Sequence, residues 1–264
     1  WWIKMYIKLF IKFISSLSII LFMSSNLSFA IDEKSDLYDV KFSFEGIFGK
    51  FNKSSARRGL QIYREVGSGC HGLKFISFRN LTSIGYTESE VKRIASEYEI
   101  LDGPNNEGEM FIRKGLSSDN FVDPYDNKNM ARSMNNGAAP PDLSLIVKAR
   151  NDGSKYLYSL LMGYKDIPSN FNSSEGYYNK FYPGHVIAMP QPLYGDDVEY
   201  LDGTEANLEQ EVKDLTTFLT WTSHPEMVDR KRMGFKVFLF LIFMTSLLFF
   251  SYKKIWKSVK DGSV

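Results

Sequence analysis

With 264 residues and one cysteine, the chain is long enough to bury a full core and cannot close a disulfide within itself. Its formal charge of +1 hides a segregation: residues 31–229 hold 30 acidic against 21 basic side chains, a balance of −9, and the two ends hold the remaining 11 basic groups. An acidic body of this kind excludes nucleic acid as a partner and suits a cationic protein.

Lys4, Lys8 and Lys12 lead into an apolar run from Ile14 to Met23, and Ser28-Phe29-Ala30 places small residues three and one positions before a cleavage point. Residues 1–30 read as a secretory signal peptide removed before Ile31, against the alternative of an uncleaved amphipathic anchor. Met5 is the expected translation start, with Trp1 to Lys4 an artefact of how the reading frame was taken.

In the body, Ser54 to Val66 reads as a helix with Leu60 and Tyr63 at helical spacing, running into Gly67-Ser-Gly-Cys-His71. Thr87-Glu-Ser-Glu90 is a capping box, and Val91, Ile94, Ala95 and Tyr98 give the helix that follows an apolar face. Leu101 to Gly108 has the Asp-Gly-Pro-Asn-Asn character of a surface loop. Asp126 to Asn136 is expected to be helical and capped by Gly137, and short helices fit Asp142 to Arg150 and Ser154 to Gly163. Between Tyr164 and Tyr200 the pattern is irregular and loop-rich. From Thr204 the helical period returns through Leu208, Val212, Leu215 and Leu219, and Pro225 is placed to open a new helix.

That last helix carries an uncharged run from Val237 to Tyr252, flanked by Lys236, Lys253 and Lys254. Such a run, at about 1.5 Å per residue, falls a little short of a bilayer core of roughly 30 Å, and snorkelling lysine stems extend it. Residues 230–254 therefore read as a transmembrane anchor. Basic residues lie on both sides, so the signal peptide sets the orientation: residues 31–229 are exported and the basic tail 255–264 stays inside.

Cys70 beside His71 is the pair that c-type haem attachment needs, the sulfur adding to a haem vinyl group while the imidazole ligates iron. The usual signature is Cys-x-x-Cys-His, and Gly67 stands where its first cysteine belongs. Alone, the pair also fits a small hydrophobe beside an ordinary histidine. A second axial ligand would come from Met189, in Tyr182-Pro-Gly-His-Val-Ile-Ala-Met-Pro-Gln-Pro192, where prolines flank the thioether. Thioether ligation raises the reduction potential relative to two imidazoles. His185 and His224 are set aside as an exposed loop residue and an interfacial one.

Longer stretches carry a resemblance. Ser43-Phe-Glu-Gly-Ile-Phe-Gly-Lys-Phe51, Arg58-Gly-Leu-Gln-Ile-Tyr63, Leu73-Lys-Phe-Ile-Ser-Phe-Arg-Asn-Leu81, Asn135-Asn-Gly-Ala-Ala-Pro-Pro-Asp-Leu-Ser144, Gly184 to Tyr194 and Arg230-Lys-Arg-Met-Gly234 together resemble cytochrome c1, the membrane-anchored haem subunit of the cytochrome bc1 complex. The resemblance implies a mainly α fold, a class I cytochrome c-like haem domain with loop-rich insertions plus one C-terminal transmembrane helix. It implies one haem c, with Cys70 as thioether, His71 as proximal and Met189 as distal ligand, Arg132 on a propionate, and Pro140 and Pro141 packed on the porphyrin. Gly67 then means a single-thioether haem, a sequence error or damaging variant, or, ranked last, a haem-free protein.

The implied function is electron transfer from a Rieske iron-sulfur protein to a soluble or membrane-tethered cytochrome c, within a dimeric complex that also contains cytochrome b. The chain breaks no substrate bond and is not an enzyme on its own. Its rivals are a free-standing anchored cytochrome c and a haem-free exported binding module. The acidic run Asp196, Asp197, Glu199, Asp202 and Glu205 would steer a cationic partner, or simply be solvated. A lysine-rich, arginine-free signal points to a bacterial inner membrane with the haem domain in the periplasm, the alternative being the mitochondrial inner membrane facing the intermembrane space.

Overall fold

The computed structural model describes residues 37–165, 167–169, 171 and 176–260. The expected signal peptide and the last four residues of the tail lie outside them. The described chain is mainly helical: α1 Lys53–Glu65, α2 Glu88–Ser96, α3 Lys128–Met134, α4 Gly153–Met162, α5 Leu208–Ser223 and α6 Met227–Lys260, with 3-10 turns at Gly67–Gly69 and Phe78–Ile84. Two antiparallel pairs interrupt them, β1 Glu99–Asp102 with β2 Phe111–Lys114, and β3 Tyr177–Tyr178 with β4 Val186–Ile187.

α1 begins where Asn52 accepts a hydrogen bond from the Ser55 amide, and it buries Ala56, Gly59, Leu60 and Tyr63, spaced three and four apart. That stripe lies on α5. At the crossing, a Cβ on Gly59 would stand 2.1 Å from the Asp214 carbonyl oxygen and 2.6 Å from Phe218 Cβ, so the close approach of the two helices requires glycine. Beside it, Asp214 is fully buried and accepts from Arg58 Nε at 2.6 Å and Gln210 Nε2 at 2.9 Å, with Ser55 as a further donor. Phe78 and Phe121 meet at 4.5 Å between ring centroids, Tyr63 sits 6.0 Å from both Phe121 and Phe218, and the buried Trp221 indole donates to Ser83 Oγ.

α2 opens with the expected capping box, both of its bonds formed between Thr87 and Glu90. Four expectations are corrected. Residues 142–150 form successive turns rather than a helix, because the Val147 amide donates to Ser223 Oγ and the same hydroxyl donates to Ser144 O, where a helix would bond Val147 to Leu143 and Lys148 to Ser144. The expected loop 101–108 begins inside β1 and lies in a hairpin, turning over 103–110, whose strands, four residues each and mostly exposed, are too short to show a period. α3 is shorter than expected, Lys128–Met134, although Gly137 at φ +86° does return its amide to Arg132 O. Pro225 lies in the break after α5, and α6 starts two residues later at Met227. α6 runs 34 residues, of which Met227–Lys257 is long and apolar enough to cross a membrane.

Candidate haem site

α1 delivers the chain to Cys70 and His71. Past Val66 it tightens into a 3-10 turn, where the Gly67 carbonyl accepts from the amides of both Cys70 (3.2 Å) and His71 (3.0 Å). The buried Tyr63 hydroxyl then donates to His71 O at 2.9 Å. Burial raises the Tyr63 phenol well above its ordinary range, so this donor stays protonated. Cys70 is an exposed free thiol.

Residues 71–75 form a strap laid along residues 141–144. His71 Nδ1 lies 2.8 Å from Pro141 O, Leu143 N donates to Gly72 O at 2.9 Å, Lys74 N to Asp142 Oδ2 at 2.9 Å, and Phe75 N to Ser144 Oγ at 3.2 Å. A Cβ on Gly72 would fall 1.7 Å from Asp123 Oδ1, so a side chain there requires the Asp123 carboxylate to move aside. A carbonyl can only accept, so Nδ1 carries the proton and Nε2 keeps a free lone pair. Burial lowers the His71 pKa, opposed by the Pro141 carbonyl and Asp142. The imidazole is therefore presented neutral, in one tautomer and one orientation, with Nε2 lacking a partner among the described residues.

Met189 is half-buried on the loop after β4. Its carbonyl accepts from the Tyr164 hydroxyl at 3.0 Å, and Gln191 Nε2 donates to Leu193 O at 2.7 Å just beyond. Upstream, the fully buried Asn179 donates to Leu160 O at the end of α4 and receives the Phe181 amide, fixing the β3–β4 turn. His185 sits exposed in that turn at φ +60°. His224 has its pKa lowered by burial, then by Lys148 and Arg230, and its buried Nδ1 has no partner among the described residues.

Arg132 is exposed on α3, and its guanidinium makes no hydrogen bond or ion pair among the described residues. Pro141 reaches His71 through its carbonyl, and Pro140 precedes it half-buried. At Gly67 an added Cβ would meet only the Tyr63 ring, at 3.2 Å. Asp142, Tyr164, Asn179 and the Pro141 carbonyl are not legible as site residues from the sequence.

Residues 42–259 match the cytochrome C1 family. The chain belongs to that family. It is 46% identical over 239 residues to "Cytochrome b/c1" of Bradyrhizobium diazoefficiens, covering 82% of this chain and 35% of that one. It is 40% identical over 242 residues to "Cytochrome c1" of Rhodospirillum rubrum, covering 85% and 89%. It is 45% identical over 218 residues to "Cytochrome b-c1 complex catalytic subunit, mitochondrial" of Candida albicans, covering 82% and 76%. The chain thus spans about a third of the Bradyrhizobium protein's length. Cytochrome c1 proteins carry haem c and serve electron transport, in bacteria and in mitochondria.

The residues present fit that group. The donor set is an exposed thiol, a neutral imidazole with Nε2 free, a thioether and an uncommitted guanidinium. Phe75 on the strap, Leu145 beyond it and Met134 on α3 are 60%, 44% and 68% exposed, leaving apolar surface uncovered on the segments that carry these donors.

Proposed function

We propose that this chain is the electron-transfer subunit of a quinol:cytochrome c oxidoreductase, carrying one electron from a Rieske iron-sulfur protein to a cytochrome c. The observation that carries the reading is the His71 imidazole, held by the Pro141 carbonyl with Nε2 free, next in sequence to the exposed Cys70 in a chain of the cytochrome c1 family. Haem c bound there supplies a one-electron iron couple. Cys70 would anchor it by a thioether, and the His71 imidazole and the Met189 thioether would ligate its iron. Arg132 is its propionate partner, Pro140 and Pro141 its packing surface. The bond from His71 Nδ1 to Pro141 O raises the basicity of Nε2 and fixes the plane of the ring.

Attachment is through one thioether, since Gly67 offers no second sulfur. Cytochrome b and the Rieske protein are the proposed partners within a dimeric complex. α6 crosses the bilayer, and residues 31–229 face the periplasm of a bacterial inner membrane. The acidic run divides into two sets. All five are exposed, but the Asp197 carboxylate accepts from the Tyr194 and Gly195 amides and Asp202 pairs with Arg58, leaving the carboxylates of Asp196, Glu199 and Glu205 to steer a cationic cytochrome. Purification from native membranes tests this: the chain should co-purify with cytochrome b and a Rieske centre and be reduced by quinol through them. A haem-bearing chain that purifies alone would contradict it.

A further inference from the structure

The segment before α1 does more than lead into the site. Phe42 and Phe44, both buried, stack at 4.9 Å between centroids and root it in the core. The Lys50 amide returns to Ser43 O at 3.0 Å, so residues 44–49 project as a closed loop. Its tip, Gly46-Ile47-Phe48, turns at Gly46 with φ +71° and leaves Ile47 74% and Phe48 77% exposed. Single exposed apolar residues are ordinary, but two adjacent ones this bare need a reason.

The loop is fastened to α6. Lys231 Nζ donates to Phe44 O and Gly46 O at 2.7 Å each, and to Gly49 O at 3.4 Å. One helical turn further on, Phe235 meets the Phe48 ring edge-on at 6.0 Å between centroids. The uncharged run of α6 begins two residues after Phe235, at Val237. The bare tip therefore stands at the level where α6 becomes wholly apolar, with three of its carbonyls capped by an ammonium rather than left for water. Lys50 on the loop and Arg230, Arg232 and Lys236 on α6 are exposed close by in sequence, a set that favours anionic headgroups over the two acidic groups there, Glu45 and Asp229.

We propose that the Ile47–Phe48 tip inserts into the interfacial layer of the bilayer leaflet that α6 enters, giving the body a second membrane contact beside its helix. This rests on the reading that α6 spans the bilayer. A lone helix is a swivel; a helix with an apolar foot fixed to it by Lys231 sets how the body, and the site it carries, is turned over the membrane.

The test uses the full-length haem-bearing chain in phosphatidylcholine–phosphatidylglycerol vesicles. Single substitutions Ile47→Cys, Leu201→Cys and Leu241→Cys are nitroxide-labelled, with the unsubstituted chain as the control for Cys70. Collision with oxygen, which concentrates in lipid, is compared with collision with a water-soluble nickel chelate. Leu201, 98% exposed on the body, should favour nickel, and Leu241, within α6, should favour oxygen. The proposal expects position 47 to shift towards the Leu241 value, and Lys231→Met to move it back towards that of Leu201. If Leu241 is lipid-buried while position 47 behaves like Leu201, the foot is wrong and the anchor stands. If Leu241 itself favours nickel, the anchor reading fails and the foot with it.

Discussion

The strap around His71 and the loop around Met189 are held by different means. The strap is fixed over five residues by bonds to His71 Nδ1, the Gly72 carbonyl and the Lys74 and Phe75 amides, with Tyr63 behind His71 O. The Met189 loop is held at Met189 itself by one hydroxyl, Tyr164, and otherwise by its flanks: a two-rung ladder upstream and the buried Leu193 downstream. Side-chain orientation is over-determined on the first side and depends on few contacts on the second. With the ligation proposed above, His71 would stay in place through local opening and Met189 would be released first.

Substitutions rank accordingly. The largest effect is expected from His71→Ala, which removes the imidazole proposed to ligate iron and leaves the Pro141 carbonyl without its partner; low-spin haem absorbance should be lost altogether, while Met189→Ala should leave haem attached and turn it high-spin. Equal loss in both variants would erase the asymmetry. Next, Asp142→Ala deletes the acceptor for the Lys74 and Ser144 amides. Unsatisfied amides cost about 1–3 kcal/mol, so the denaturant midpoint should fall with an unchanged slope.

Tyr164→Phe removes only the bond to Met189 O. At about 1 kcal/mol, it should ease displacement of the thioether by added imidazole about fivefold. An unchanged imidazole affinity would show that the loop is held by its prolines alone.

An effect confined to one pH range is expected from Glu211. This buried carboxyl on α5 accepts the Asp197 amide at 2.9 Å, just beyond the Met189 loop, and its Oε2 has no partner among the described residues. Burial, and then the neighbouring Asp197, push its pKa up to about 7. The folded chain then holds a proton that the unfolded chain releases near its ordinary value, so stability is full below that value and is lost as pH rises towards about 7. Glu211→Gln should flatten that part of the stability profile; a profile identical to the parent's would place the titration elsewhere.

What was legible in the sequence follows the same physics. Cys70, His71 and Met189 stood out because their chemistry belongs to the side chain and to near neighbours. The starts of α1 and α2 were legible too, because amphipathic spacing and the Thr87 capping box are local signals. The strap's partners were not. Pro141 acts through a backbone carbonyl, and Asp142 reads as the first residue of a helix, whereas its carboxylate takes the Lys74 amide of the strap as well as the Ser144 amide. The hairpin escaped because its four-residue strands bury little, and the start of α6 shifted because Pro225 serves the turn that separates it from α5. The role of Phe48 depends on meeting Phe235, 187 positions away in sequence, which no local pattern encodes.

Covalent attachment of haem through Cys70 is the central claim, and one sample tests it most directly. Protein purified from its native membranes would be run on a denaturing gel with haem staining, and its alkaline pyridine spectrum recorded. Haem retained on the chain, with its reduced band red-shifted from that of an ordinary two-thioether cytochrome, is the predicted result. Haem lost on denaturation, or no haem at all, would contradict covalent attachment at Cys70, and an unshifted band would contradict the single thioether that Gly67 dictates.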